Sequence, residues 1–178
     1  MAALTPAEIF LGRARYLLGT EYRTKLRLAV EALPDAALWW RANEESNSVG
    51  NLLLHLNGNV RQWMLSGVAG QANERHRAEE FAARTGGSAS ALLTELNRTL
   101  DDVDRALSAV TSEQLTESRT IQGREITVLD AVLHVVEHFS YHLGQIVVIA
   151  KMQQPDAVHF YEDAGGLATP VWKSQIKA

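Results

Sequence analysis

The chain contains no cysteine. That excludes disulfides, Fe–S clusters, thiolate zinc sites and a cysteine nucleophile together. Basic residues are in the minority: 17 Lys and Arg stand against 21 Asp and Glu, a formal charge of −4, and no basic tract stands out. A nucleic-acid partner is therefore not expected. The longest purely aliphatic run near the C-terminal third, Ile146–Ala150, falls far short of the roughly 20 residues that span a membrane. Glu8, Arg13 and Arg15 occupy the stretch where an export signal needs an apolar core. Walker A and GxGxxG phosphate loops, a GxSxG hydrolase elbow, internal repeats and low-complexity segments are all missing. The expectation is a soluble, cytoplasmic protein with no membrane partner.

What is present is ordinary globular composition: 178 residues, 46% hydrophobic and 21% charged, enough for one domain over residues 1–178 with a sizeable core. Four segments carry helical periodicity. The first runs from about Pro6 to Ala32, opened by Thr5 with Glu8 three residues on as a capping-box acid. The second runs from Asn47 and Ser48 to about Leu65, with Ser66 and Gly67 as its stop signal. The third runs from Ser88 to about Ala109, and the fourth from Thr127 to about Gln153. A long polar loop, Ser66 to Gly87, follows the second helix and exceeds ordinary connection lengths. A short hairpin around Gln122 and Gly123 is expected before the fourth, and an irregular but packed tail over residues 155–178, because Val171 and Trp172 are poor residues to leave in water. The architecture this implies is all-α, a four-helix bundle with decorated loops. Trp39, Trp40, Trp63 and Trp172 are read as core or interface.

The histidines carry the chemistry. His134, His138 and His142 follow one another at spacing four, each step rotating by only about 40° on a helix. They share a stripe with Ala131 and Ile149, beside Val135 and Ile146, while Asp130, Glu137 and Lys151 take another face. At least His138 and His142 should point inward. One metal is one reason for several buried imidazoles. His134 and His142 lie about 12 Å apart along a straight helix, whereas nitrogens sharing a zinc sit about 3 Å apart. One helix thus supplies two ligands and another segment the third. His55 is the natural candidate, on the polar stripe Asn51, His55, Asn59 and Gln62, which reads otherwise as the solvated face of an amphipathic helix. Satisfied core histidines are the rival to metal binding. His76 and His159 fall in loops and read as solvated, and Arg75 with Arg77 reads as an anion site or as part of an ordinary charged loop.

Asn51-Leu52-Leu53-Leu54-His55, then Leu56 to Asn59, and later His138-Phe139-Ser140-Tyr141-His142-Leu143-Gly144-Gln145 resemble the DinB/YfiT-like metalloenzyme superfamily. The closest likeness is to a branch of uncharacterised bacterial members, which also carry stretches like Asn59–Trp63 and Thr169–Ser174. The likeness covers most of the chain. It implies a four-helix bundle whose His55, His138 and His142 face a cleft and bind a divalent metal, with His134 outside the ligand set. It also implies that Gly144 allows close helix approach and that Gln145 makes a helix–helix hydrogen bond. Characterised relatives include thiol-dependent S-transferases and a thiol-dependent isomerase.

Three neutral imidazoles leave open positions on a divalent metal, as in catalytic sites, and Zn²⁺ or Ni²⁺ suits them. Such a metal lowers the pKa of bound water or presents a thiolate to an electrophile. The expected function is a metal-dependent, thiol S-transferase-like enzyme. The alternatives are a hydrolase of a small ester or amide, for which no carboxylate is obviously placed, and a non-catalytic, stress-linked bundle stapled by its metal. Expected partners are a small-molecule substrate, with a low-molecular-weight thiol among the candidates, and a second copy in a homodimer.

Overall fold

Thr5 opens the first helix as its sequence requires: its hydroxyl accepts from the Glu8 backbone N–H at 3.2 Å, and the Glu8 carboxylate accepts from the Thr5 N–H at 2.7 Å. The computed structural model describes residues 3–156 and 158–176. Helix α1 covers residues 6–31, with α-helical Pro6–Tyr16 and Arg23–Glu31 on either side of a wider π-helical stretch, Leu17–Tyr22. Helix α2 covers residues 49–68, α-helical over Val49–Val60 and π-helical over Arg61–Val68. Ser48 caps its start by accepting from the Asn51 N–H. Helix α4 is Ala89–Ser108, capped by Ser88. Helix α5, Val128–Gln153, has 26 residues and a Thr127–Asp130 capping box.

The apolar stripes of these four long helices meet in one core. Helix α2 packs on both α4 and α5, and α1 packs on α4 and α5. Leu52, Leu56, Leu96, Leu100, Val135, Phe139 and Ile146 are buried where they meet, each contributing about 1.5–3 kcal/mol by leaving water. Among the described residues no helix is long and apolar enough to cross a membrane.

The protein is mostly helical rather than all-α. The expected hairpin is present: β1 (Ser118–Ile121) pairs antiparallel with β2 (Arg124–Thr127). Its turn residues Gln122 and Gly123 have φ of 53° and 73°, the double left-handed geometry of a tight two-residue turn. A second hairpin replaces most of the expected irregular tail. Strands β3 (Tyr161–Ala164) and β4 (Leu167–Pro170) pair across Gly165 and Gly166, and a 3₁₀ turn, Val171–Gln175, then buries Trp172. Residues 157, 177 and 178 of that tail lie outside the described residues.

Two further departures concern the segment after α2. The helix runs through the expected stop at Ser66 and Gly67. Gly67 is small because α2 crosses the first hairpin there: a Cβ would fall 2.2 Å from Ile121 Cδ1. The long loop also contains a short helix, α3 (Arg77–Ala82). Asn51 docks it by donating to the carbonyls of Glu80 at 2.7 Å and Ala83 at 2.9 Å. This contact brings the loop back over the middle of α2.

Candidate metal centre

His55, His138 and His142 come together. One ring nitrogen from each lies within 4.8 Å of the other two, and His55 Nε2 is 3.1 Å from His138 Nε2. His55 comes from the middle of α2 and is 4% exposed. The reading of its stripe as a solvated face is overturned, since Asn51 and Asn59 are buried too. His138 and His142 are half-buried on α5. His134 stacks on Trp63 at 3.8 Å between centroids and accepts from Asn59 Nδ2 at 3.4 Å, outside the three-nitrogen group. His76 and His159 are exposed.

The loop supplies what sequence reasoning missed. Glu80 is buried, and its Oε2 accepts from His55 Nδ1 at 2.8 Å. Arg75, with its side chain only 4% exposed, forks onto the same carboxylate: Nε donates to Oε1 at 2.7 Å and Nη2 to Oε2 at 2.8 Å. Its Nη1 donates to Gln62 Oε1 at 2.9 Å, which also accepts from Gln122 Nε2 of the first hairpin's turn. Arg75 is therefore neither a free anion site nor part of an ordinary charged loop. Gly58 makes room for the pair, because a Cβ there would meet Glu80 Oε1 at 2.1 Å.

These contacts assign protons. Burial opposes ionisation of Glu80, but the Arg75 fork and the His55 hydrogen bond outweigh it and hold its carboxyl below the ordinary value. An ionised carboxylate only accepts, so His55 carries a proton on Nδ1, and Nε2 is the nitrogen it turns toward His138. Gln145 does the same for His142: its Oε1 accepts from His142 Nδ1 at 2.7 Å, leaving Nε2 bare. Gln145 thus bonds within α5, not across helices as the resemblance implied. Gly144 is not a close-approach residue either, since a Cβ there meets nothing within 4 Å. Burial, then the neighbouring His142, His55, His134 and Arg75, push His138 down to about 3. Burial also lowers His142, against the Gln145 bond, and lowers His134. All three α5 imidazoles are neutral near pH 7.

The donor set fits a divalent cation. Two nitrogen lone pairs 3.1 Å apart repel unless a proton or a cation lies between them. The buried Nδ1 of His138 has no hydrogen-bond partner among the described residues, so in metal-free protein the His138 proton is best placed on Nε2, facing His55 Nε2, where a shared cation would take its place. Carboxylate–histidine and amide–histidine contacts of this kind fix imidazole orientation around metals.

A mostly helical chain with this histidine cluster is a DinB-like protein in fold. It is similar to the crystal structure of a DinB-like protein from Bacillus cereus ATCC 10987, with a TM-score of 0.64 and 20% identity over 80% of this chain and 89% of that one. The chain belongs to DUF1572, a family described as proteins of unknown function, whose model matches residues 7–161. None of the curated proteins compared matches it.

Proposed function

We propose that the protein is a four-helix-bundle metalloenzyme in which His55, His138 and His142 hold one divalent cation, Zn²⁺ or Ni²⁺, and which activates a low-molecular-weight thiol toward a small electrophile. The observation that carries this reading is the convergence of three imidazoles, two of them with Nδ1 engaged by Glu80 and Gln145. When bound, the cation supplies Lewis acidity that favours the thiolate over a free thiol of pKa about 8.5. His55 is oriented by Glu80, and Glu80 by Arg75. His142 is oriented by Gln145. The chain brings no thiol of its own, which fits a thiol supplied as cosubstrate.

Hydrolysis is the second reading. A carboxylate does lie beside the cluster, but both Glu80 oxygens are occupied and its proton affinity is depressed. Glu80 is therefore a poor general base, which favours the thiol reading. A non-catalytic, metal-stapled bundle is the third.

Elemental analysis of untagged protein tests the site. About one divalent ion per chain is expected. His138→Ala or His142→Ala should abolish tight uptake, and His134→Ala should retain it. Loss with His134→Ala and retention with His142→Ala would overturn the ligand assignment. Thiol conjugation that needs the holo protein supports the transferase. Metal-dependent ester or amide hydrolysis without a thiol requirement supports the second reading, and silence of fully metallated protein in both panels supports the third.

A further inference from the structure

A cavity of about 600 Å³ lies between the start of α2 and the C-terminal half of α5. Its wall is largely apolar, with Trp40, Leu52, Val148 and Met152, and the last two are 53% and 65% exposed. Large apolar groups held open around a concave space mark a binding surface.

The cavity adjoins the histidine cluster from both helices. Leu52 precedes His55 by three residues, about one turn of α2. Tyr141, which also lines the cavity, packs edge-on against the His142 ring with centroids 5.0 Å apart. Gln145 belongs to both sites, lining the cavity while its Oε1 holds His142 Nδ1 at 2.7 Å. One helical turn is about 5.4 Å, so a modest extension of a molecule seated here reaches the imidazoles.

Two groups set the polarity. Glu45 is the one charged side chain in the lining, and it is exposed with no cation paired to it among the described residues. Gln145 lines the cavity, and with its carbonyl committed to His142 its amide N–H groups have no partner among the described residues. A carboxylate beside an apolar wall repels anions more strongly than it would in open water.

We infer that this cavity binds the apolar body of a small-molecule substrate whose polar end is neutral or cationic, and seats it beside the metal centre. The inference rests on the metal reading above. Gly144 provides the test, because it lines the cavity and a Cβ there meets nothing within 4 Å. A large side chain at 144 enters the cavity without disturbing the core, and replacing a helical glycine favours the helix.

Three probes with one apolar body, 4-phenylbutylamine, 4-phenylbutanol and 4-phenylbutyrate, are titrated into the full chain by calorimetry or NMR. The amine is expected to bind tightest, by about fivefold over the alcohol, and the carboxylate weakest. Glu45→Gln should bring the amine level with the alcohol. Gly144→Trp should abolish binding of all three, with metal content per chain and the unfolding midpoint not lowered. A carboxylate that binds as tightly as the amine, or amine binding that survives Gly144→Trp, would overturn the inference. So would a chain that sediments as a dimer and is dissociated by Gly144→Trp, which would make this face a subunit interface. Amine binding with the expected pattern in protein that takes up no metal supports the cavity and removes the metal reading.

Discussion

The two walls of the histidine cluster are built on opposite plans. On the α2 side, His55 is 4% exposed and leans on Glu80, which leans on Arg75, which leans on Gln62. His55, Glu80 and Arg75 each hold a partner and leave at most 10% of their side chains exposed, and Gln62 ends the chain from a half-buried position. On the α5 side, His138 and His142 are half-buried, one amide holds His142, and the Nδ1 of His138 has no partner among the described residues. A closed wall fixes where ligand nitrogens sit. An open wall lets a metal and a substrate approach and lets the imidazoles adjust to them.

The largest expected effect lies on the closed wall. Arg75→Met leaves Glu80 as a buried carboxylate with a single partner, and should cost about 3–5 kcal/mol of stability. Adding Glu80→Gln should recover part of that loss. Urea unfolding measures both variants, and a cost below about 1 kcal/mol for Arg75→Met would show that the closed wall is not dry.

On the open wall the ranking should reverse, with affinity suffering more than stability. Gln145→Ala should weaken metal binding by about 10- to 100-fold, while unfolding shifts by no more than about 1.5 kcal/mol. Chelator competition reads the first and urea the second. If affinity is unchanged, the open wall needs no support from Gln145.

Much of this contrast was hidden in the linear chain. The long helices were legible because apolar residues repeat every three or four positions and the capping residues Thr5, Ser48, Ser88 and Thr127 stand at their starts. The histidines were legible as an i,i+4 pair with a partner on another helix. Glu80 and Arg75 were not, because they come from a loop without periodicity. Only the docking of α3 by Asn51 carries them to His55. The second hairpin was missed for a different reason. Its strands are exposed almost throughout and show no alternation, so Gly165 and Gly166 were the one available sign. Gly67 misled because a glycine at a helix crossing looks the same in sequence as a glycine at a helix end.

Acid should act through the open wall. In metal-free protein, unfolded His138 takes up a proton near pH 6.5, whereas folded His138 does so only near about 3. The unfolded state therefore binds more protons between those values, and stability falls as pH drops from 6.5 toward 3. His138→Gln should flatten that slope. Chelator-treated samples followed by thermal unfolding across this range provide the check, and an equal slope in the variant would assign acid sensitivity to other groups.

The smallest effect is expected beyond both walls. His134→Phe keeps a ring against Trp63 and removes only the long hydrogen bond from Asn59. Stability should change by about 1 kcal/mol or less, and metal per chain should not change. A loss of metal would bring His134 into the ligand set and erase the distinction between the two walls.

Gly58 gives the closed wall a history as well as a geometry. A methyl group at that position overlaps the Glu80 carboxylate, so alanine there displaces the carboxylate from Arg75 and His55 unless residue 80 has already shrunk or turned away. Once it has, alanine gains about 1 kcal/mol of helix propensity over glycine, and the substitution is favoured. The return path then closes, because restoring glutamate at 80 would meet an occupied space. Residues 58, 75 and 80 are therefore expected to change together among relatives of this chain, with the loss easier than the return.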